Sequence, residues 1–257
     1  MGKASSVEIC NLTKRFGGIC AVNGISISAA PCEIHGIIGP NGAGKTTLFN
    51  MITGIYQPTE GDVVISGKSI IGLQPHEIAN LGIARTFQNI RLFKELSVYN
   101  NILTSCQGRL TYSMIDGLFR TKKYRQQEKE MSLAAEEVLK SLGLWELRDH
   151  LASNLPYGQQ RRLEIARALI TDPSLLLLDE PAAGMNEQES YELSQFIKRI
   201  RDEYDVTIIL IDHHMDVIMD TCDNITVFNF GTKLAEGKPE EIQNDPAVIE
   251  AYLGVDE

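Results

Sequence analysis

The stretch Ile38-Gly39-Pro40-Asn41-Gly42-Ala43-Gly44-Lys45-Thr46-Thr47 decides the fold of this chain. It has the form G-x-x-x-x-G-K-[ST] of the phosphate-binding loop called Walker A. The glycines let backbone N–H groups close around the α- and β-phosphates of a nucleoside triphosphate, since no Cβ stands in the way. Lys45 can reach the β- and γ-phosphates, and the Thr46 hydroxyl can bind Mg²⁺.

The residues on either side of this loop supply the setting that it requires. Residues Glu33 to Ile38 are typical of a buried strand, and Thr46 to Ile52 of a helix. The helix would present its positive N-terminus to the same phosphates. The alternative is a chance glycine turn between a strand and a helix, and a strand–loop–helix order argues against it.

Composition limits the classes of protein to consider. The chain has 257 residues, of which 43% are hydrophobic and 23% charged, as in a globular protein of one domain, with or without a subdomain. Its net charge of −10 argues against broad non-specific binding to nucleic acid. No apolar run approaches the roughly 18 residues that span a bilayer, so we expect no transmembrane segment. The five cysteines include no C-x-x-C pair, which argues against a zinc site.

The N-terminal region predicts an antiparallel pair of strands. Residues Val7 to Phe16 and Ile19 to Ala29 alternate apolar and polar side chains, and Gly17-Gly18 joins them as a turn. Phe16 stands at the strand end before that turn. Its ring could stack on an adenine, or it could be an ordinary core or edge aromatic.

A second apolar strand ends in two acids. Residues Leu175 to Glu180 have the Walker B form, and we expect this strand to run beside the strand of the phosphate loop. Ligands of an open α/β sheet sit at the carboxyl ends of its strands, where Asp179 could hold Mg²⁺. Glu180 could orient and deprotonate the water that attacks the γ-phosphate.

Two further polar residues are candidates for the same site. His213 follows the apolar run Val206 to Ile211 and could bond the γ-phosphate, or it could merely cap a helix. The Gln88 amide could bind Mg²⁺ and the attacking water, although only its place in the order of motifs supports this. His35 is expected at an edge or on the surface.

The middle of the chain, residues 96–171, predicts an inserted helical subdomain between core segments 1–95 and 172–257. Residues 109–125 are basic with interleaved apolar side chains, and this run is either a solvated face or a contact with a partner or membrane. Residues Lys129 to Leu142 are typical of a helix. Asn154 to Gln160 predict a polar turn that leads into a helix from Arg161 to Ile170. Later segments predict a helix from Gln188 to Asp202 and a strand pair near the C-terminus.

Taken together, the order of these motifs resembles the nucleotide-binding subunit of an ABC transporter. The motifs run from Phe16 through Walker A, Gln88, the signature Leu155-Pro156-Tyr157-Gly158-Gln159 and Walker B to the D-loop Ala183-Gly184-Met185-Asn186 and His213. The resemblance covers essentially the whole chain. It implies the ABC ATPase fold, an α/β P-loop NTPase core with a mixed sheet, an N-terminal antiparallel β-subdomain and an inserted helical subdomain. It also implies an ATPase that uses ATP and Mg²⁺.

Three longer segments are similar to the ATPase of branched-chain (hydrophobic) amino-acid uptake systems. They are residues Arg85 to Phe93, Tyr157 to Arg167 and Val248 to Gly254. The resemblance implies a second ATPase subunit, two transmembrane permease subunits and, indirectly, an extracytoplasmic substrate-binding protein, with no nucleic-acid partner. It implies a peripheral location on the cytoplasmic side of the cell membrane.

In that family, ATP lies between two subunits, so residues Leu155 to Gln159 would act in trans on the ATP of the partner. This chain departs from the family at two positions: Pro156 replaces the serine of the usual Leu-Ser-Gly-Gly-Gln, and Asn186 replaces an aspartate. Pro156 offers neither a hydroxyl nor an N–H, but Gly158 and the following helix N-terminus can still meet an anion.

Other functions remain as alternatives. The same ATPase could serve lipopolysaccharide export or urea uptake. A soluble ABC ATPase of translation or DNA repair usually needs two such domains or a long coiled coil. A guanine-nucleotide switch would need N-K-x-D, which the sequence lacks, and a small-molecule kinase would lack Leu155 to Gln159.

Overall fold

The computed structural model describes residues 3–106 and 111–253, and these divide into two compact units. The first unit is formed by Met1–Gln88 with Ser174–Glu257, and the second by Asn89–Pro173. Among the described residues, no helix combines the length and apolar character needed to cross a membrane. Arg109, which belongs to the predicted basic run, lies outside the described residues.

The first unit is built on a six-stranded sheet. Its strands are β3 (Ile34–Ile38), β6 (Ile83–Arg85), β7 (Leu175–Asp179), β8 (Thr207–Ile211), β9 (Asn224–Asn229) and β10 (Thr232–Gly237). The spatial order is β10-β9-β3-β8-β7-β6, and only the β9–β10 pair is antiparallel. Every residue of β3, β7 and β8 is buried, as expected for strands covered on both faces.

The expectation that the Walker B strand runs beside the strand of the phosphate loop is wrong. Strand β8 lies between them and pairs with both, Gly36 opposite Leu210 and Asp179 opposite Ile211. The sequence identifies each strand by its apolar run, but an apolar run does not encode which strand is its neighbour. Since the strands are parallel, their carboxyl ends still meet at one edge of the sheet.

A second, antiparallel sheet has the order β2-β1-β4-β5. Its strands are β1 (Val7–Phe16), β2 (Ile19–Ala29), β4 (Glu60–Ile65) and β5 (Lys68–Ser69), so the predicted N-terminal pair is confirmed. One buried cluster combines apolar side chains of this sheet, of the six-stranded sheet and of helix α1 (Lys45–Ile52), which fixes the start of that helix.

The remaining helices of the first unit are α2 (Pro75–Asn80), α7 (Glu187–Tyr204), α8 (Met215–Thr221), α9 (Pro239–Gln243) and α10 (Pro246–Leu253). The predicted apolar stripe of α7 is buried at Leu193, Phe196, Ile197 and Ile200. The expectation that His35 lies at an edge or on the surface is wrong. His35 is only 1% exposed because it lies inside the central strand β3, where its ring bonds Glu33 and Thr226.

The second unit is helical, with α3 (Val98–Cys106), α4 (Met114–Leu118), α5 (Lys122–Ser141) and α6 (Tyr157–Leu169), and short 3-10 segments at Trp145–Leu147 and Ala152–Asn154. Two helices begin earlier than predicted. Helix α5 begins at Lys122 rather than Lys129, where the Thr121 side chain caps it. Helix α6 begins at Tyr157 rather than Arg161, so most of the signature lies in its first turn.

Candidate nucleotide site

The phosphate loop depends on two of its glycines for steric reasons. Gly39 has φ 146° and Gly44 has φ 106°, conformations that L side chains rarely adopt. A Cβ at Gly39 would collide with the carbonyl oxygen of Phe228, and one at Gly44 with that of Ala21. Gly42, with φ 80°, faces open space. The loop therefore packs its backbone against two strand ends and leaves its middle open.

The loop leads into α1 without a side chain that caps the helix. Gly44 is the N-cap residue and makes no side-chain cap bond, so the first amide N–H groups of α1 remain directed out of its N-terminus. The Thr46 side chain is exposed and that of Thr47 half-buried. Within the loop, Ala43 donates its N–H to the Pro40 carbonyl at 3.2 Å, while Asn41 is exposed. Together these features leave an electropositive backbone surface at the start of α1.

Lys45 is held inside the loop. It is 6% exposed, and its Nζ donates to the carbonyls of Gly39 at 2.6 Å and Pro40 at 3.0 Å. Burial lowers the pKa of the Lys45 ammonium, and the nearby carboxylates of Glu180 and Asp179 act in the opposite direction. An anion that enters this loop would meet a cation that is bonded to two neutral carbonyls.

Asp179 is buried at the end of β7 and pairs with a residue to which the sequence analysis gave no role. The Arg85 guanidinium lies 2.8 Å from its Oδ2, with both side chains less than a tenth exposed. Arg85 also donates to Asn50 at 2.8 Å and lies over the rings of Phe49 and Phe87. Arg85 therefore compensates the buried charge of Asp179 and orients its carboxylate.

Glu180 brings the other predicted polar residues together. Its Oε2 accepts a bond from Nε2 of Gln88 at 2.6 Å and lies 3.7 Å from Nδ1 of His213. The residue has φ 45°, which turns the chain sharply after β7, and its N–H donates to the Ile211 carbonyl at the end of β8. The structure thus gathers Gln88, Glu180 and His213 at the carboxyl edge of the sheet.

Asp212, which precedes His213, organises the turn after β8. It is fully buried, and its Oδ1 accepts bonds from the N–H of His213 at 2.8 Å and of His214 at 3.0 Å. The His214 ring donates from Nδ1 to the same oxygen at 2.8 Å. The other carboxylate oxygen of Asp212, Oδ2, accepts a bond from the N–H of Ala182, which lies three residues after Asp179. The sequence hinted at this only by placing an acid directly after a buried strand.

The environment of Phe16 is compatible both with stacking on an adenine and with an ordinary edge aromatic. Its side chain is 43% exposed, its ring meets Tyr56 edge-on with centroids 5.2 Å apart, and Lys14 lies 5.1 Å from its centroid. An aromatic face remains available for a base, but the Tyr56 contact is also what an edge aromatic would make.

The signature lies in the second unit, at the start of α6. Leu155 is buried, Pro156 is the N-cap residue, and no side chain caps the helix. Gly158 has nothing within 4 Å of the place where a Cβ would be, and Gln159 is half-buried. Without a side-chain cap, the first amides of α6 remain directed out of the helix start, and the expectation that they meet an anion stays a prediction.

A buried ion pair within α6 stabilises the start of this helix. Arg161 is fully buried, and its guanidinium lies 2.6 Å from Glu164. It also reaches the Tyr157 hydroxyl at 3.4 Å, and Glu164 accepts the N–H of Arg91 at 3.2 Å. The sequence analysis quoted these residues but assigned them no function.

The D-loop begins three residues after Glu180, at Ala183. Met185 donates its N–H to the Ala182 carbonyl, Gly184 has φ 80°, and Ala183 is half-buried. Asn186 is the N-cap of α7, where its Oδ1 accepts the N–H of Glu189 at 2.9 Å. Asn and Asp cap helices about equally well, so the departure at Asn186 preserves the helix start.

A family model described as ABC transporter matches residues 22–183, more than half of the chain. The chain belongs to the ABC transporter family. It is an ATP-binding cassette with the ABC ATPase fold, so the predicted family, fold class and ATPase activity are confirmed at that level. A second model, described as branched-chain amino acid ATP-binding cassette transporter, matches residues 232–257.

Curated relatives of the cassette are similar over nearly their whole length. The high-affinity branched-chain amino acid transport ATP-binding protein BraF of Pseudomonas aeruginosa is 47% identical over 96% of this chain and 97% of its own. The protein of the same description named LivG from Escherichia coli K12 is 46% identical over the same shares.

Solved cassettes share the fold. The ADP conformation of an ATP-binding cassette of an ABC transporter superposes with a TM-score of 0.85 at 33% identity, covering 97% of this chain and 99% of that one. A dimeric cassette in a post-hydrolysis state, bound to ADP and Pi, superposes with a TM-score of 0.74 at 26% identity, covering 91% and 98%.

Proposed function

We propose that Glu180 is the general base of ATP hydrolysis in this cassette. The observation that carries the proposal is its position at the end of β7, bonded to Gln88 and 3.7 Å from His213, with a charge that acts on Lys45. A carboxylate there can accept the proton of an attacking water. Gln88 orients the carboxylate, and His213 offers a ring N–H to the γ-phosphate.

The phosphate loop fits ATP, and the carboxyl edge of the sheet fits Mg²⁺. The loop from Gly39 to Thr47 offers outward amides and one buried cation, which is the donor set that a triphosphate needs. Thr46, Gln88 and Asp179 carry the oxygens that would hold Mg²⁺, and Phe16 would stack on the adenine. A bound Mg²⁺ would neutralise developing charge on the phosphate oxygens.

The signature and the D-loop complete the site of a second subunit. The outward amides of α6 around Gly158 have the geometry to meet the γ-phosphate of a partner. The dimeric cassette with ADP and Pi supports a paired arrangement for this chain. Residues Leu155 to Gln159 therefore act in trans, and Ala183 to Asn186 lie at the shared interface. Whether the partner is a second copy or a related chain does not alter this role.

The cassette powers uptake of branched-chain amino acids. Two observations support this over lipopolysaccharide export or urea uptake: BraF and LivG are branched-chain amino acid transport ATP-binding proteins, and the branched-chain model matches residues 232–257. The cassette acts on two transmembrane permeases, which receive the substrate from an extracytoplasmic binding protein. It lies peripherally on the cytoplasmic side of the cell membrane.

Uptake measurements test this function. Cells that lack the chain are complemented with the wild type or with Lys45→Ala, and uptake of labelled leucine, isoleucine, valine and urea is compared. We expect the wild type, but not Lys45→Ala, to restore uptake of the three amino acids, and neither to change uptake of urea. We also expect the wild-type chain to co-purify with hydrophobic permease chains. Unchanged amino-acid uptake, or a pool that co-purifies with ribosomes or DNA, would contradict the proposal.

A further inference from the structure

A short helical hairpin in the second unit carries exposed apolar and basic side chains side by side. Four apolar side chains in and directly after α4 are strongly exposed: Met114 (93%), Ile115 (68%), Leu118 (78%) and Phe119 (73%). The next residues and the first turn of α5 add four exposed cations, namely Arg120, Lys122, Lys123 and Arg125. We call these eight residues the apolar–basic face. Apolar side chains concentrated in this way mark an interaction site more often than scattered ones do.

Polar bonds between side chains and backbone hold the hairpin in shape. Asp116 forms a capping box with Ser113 at the start of α4, and its Oδ1 accepts a bond from the Thr121 hydroxyl at 2.9 Å. Farther along, Lys123 Nζ donates to the Thr111 carbonyl at 2.7 Å.

An aromatic pair adds to these bonds. The rings of Tyr112 and Tyr124 pack edge-on with centroids 5.1 Å apart, and the Tyr112 hydroxyl donates to Glu128 at 2.9 Å. Polar bonds and this pair therefore specify the hairpin, which displays its apolar side chains outward.

The charge of the face is opposite to that of the chain. The whole chain carries −10, yet the stretch from Met114 to Arg125 contains four cations and one acid, Asp116, whose carboxylate is already used within the hairpin. An anionic surface would repel most of the molecule and attract this face. Charge thus selects both the partner and the orientation of the approach.

We propose that the apolar–basic face docks on an anionic phospholipid membrane surface. Apolar side chains would enter the boundary between headgroups and acyl chains, while the adjacent cations meet the lipid phosphates. The inference rests on the proposed membrane location, but not on ATP hydrolysis.

Vesicle co-sedimentation of the full chain tests the proposal. Phosphatidylcholine vesicles, with or without a share of phosphatidylglycerol, are combined with two patch variants, Leu118→Ser with Phe119→Ser and Lys122→Gln with Arg125→Gln. Matched controls are Ile19→Ser, which removes another strongly exposed apolar side chain, and Lys68→Gln with Lys94→Gln, which removes two exposed cations elsewhere. ATP affinity and hydrolysis are measured on the same samples.

We expect the wild type and both controls to bind only the anionic vesicles, less so at high salt, and each patch variant to bind at least about tenfold more weakly. Nucleotide affinity and hydrolysis should be unchanged in all of them. Equal binding by patch variants and controls, or no binding unless permease chains are present, would overturn the proposal. A lack of ATP binding by the wild type would instead count against the proposed function.

Discussion

Arg85 compensates the charge of Asp179, the buried carboxylate that we assign to magnesium. Because the pair with Asp179 is buried, removal of the arginine leaves an uncompensated charge in the core. We predict that Arg85→Ala lowers the free energy of unfolding by about 3–5 kcal/mol, measured by urea denaturation. Glu136→Gln, which breaks a more exposed pair with Lys140, is the control and should change it by less than about 1 kcal/mol. Equal losses in the two variants would contradict the structural role of Arg85.

Glu33 gives stability a specific dependence on pH. Burial alone would raise the pKa of Glu33, but hydrogen bonds from His35, the Ala30 N–H and Asn224 outweigh it and hold the pKa below 4.5. Because the native state binds the proton less readily than the unfolded chain, this stabilisation is present above pH 4.5 and is lost as the pH falls through the lowered pKa.

We predict that Glu33→Gln makes the urea midpoint less sensitive to acid over that interval. Glu8→Gln, at an exposed position of β1, should retain the wild-type dependence. A Glu33→Gln profile parallel to that of the wild type would show that the hydrogen bonds do not favour the charged form.

At the level of single residues, the sequence predicts groups that stand in a motif and misses those that act through a distant partner. Lys45, Asp179 at the end of β7 and Glu180 directly after it follow from local spacing. Arg85 meets Asp179 across 94 residues of chain, a pairing that local spacing does not encode. The sequence predicts His35 at an edge or on the surface, because its burial depends on neighbours that cover both faces of β3.

Helix α6 is the element on which the two-subunit proposal depends most. Gly158 lies in its first turn with open space around it, and its φ is not positive, so alanine fits without strain. We predict that Gly158→Ala leaves the unfolding midpoint unchanged or slightly raised, since alanine favours helix by up to about 1 kcal/mol. Hydrolysis by the assembled ATPase pair should nevertheless fall, because in the proposed arrangement the new methyl group would face the γ-phosphate of the partner.

The control for this variant is Gly18→Ala, in the β1–β2 turn, which also has open space. It should affect neither stability nor hydrolysis. Full hydrolysis by Gly158→Ala in the assembled pair would argue that the signature does not approach the nucleotide of the partner.

Elements with strong periodicity could be predicted, and helix starts without it could not. The strands of the N-terminal pair and the stripe of α7 follow from alternation and from 3.6-residue spacing. The first turn of α6 contains Tyr157 and polar residues after a proline, so its sequence resembles a turn. The first turns of α5 are polar and basic, and they lack the apolar stripe that marks the rest of the helix.

For the whole molecule, the order of motifs predicts the fold class, but it does not predict the order of strands. Every residue of β3, β7 and β8 is buried, and most of them are apolar. The sequences of these strands therefore carry no signal that identifies which strand is the neighbour of which. The insertion of β8 between β3 and β7 places Asp212 and His213 between the phosphate loop and the two acids. The candidate site therefore depends on a topology that only the structure displays.

The central claim is that this cassette hydrolyses ATP with Glu180 as its base, and single-turnover measurement on Glu180→Gln tests it most directly. Bound ATP and released phosphate are followed for the wild type, for Glu180→Gln and for Glu203→Gln, a control at an exposed position of α7. We predict that Glu180→Gln binds ATP as tightly as the wild type but releases phosphate about 10²–10⁴-fold more slowly, while the control matches the wild type. Phosphate release by Glu180→Gln at the wild-type rate would contradict the account.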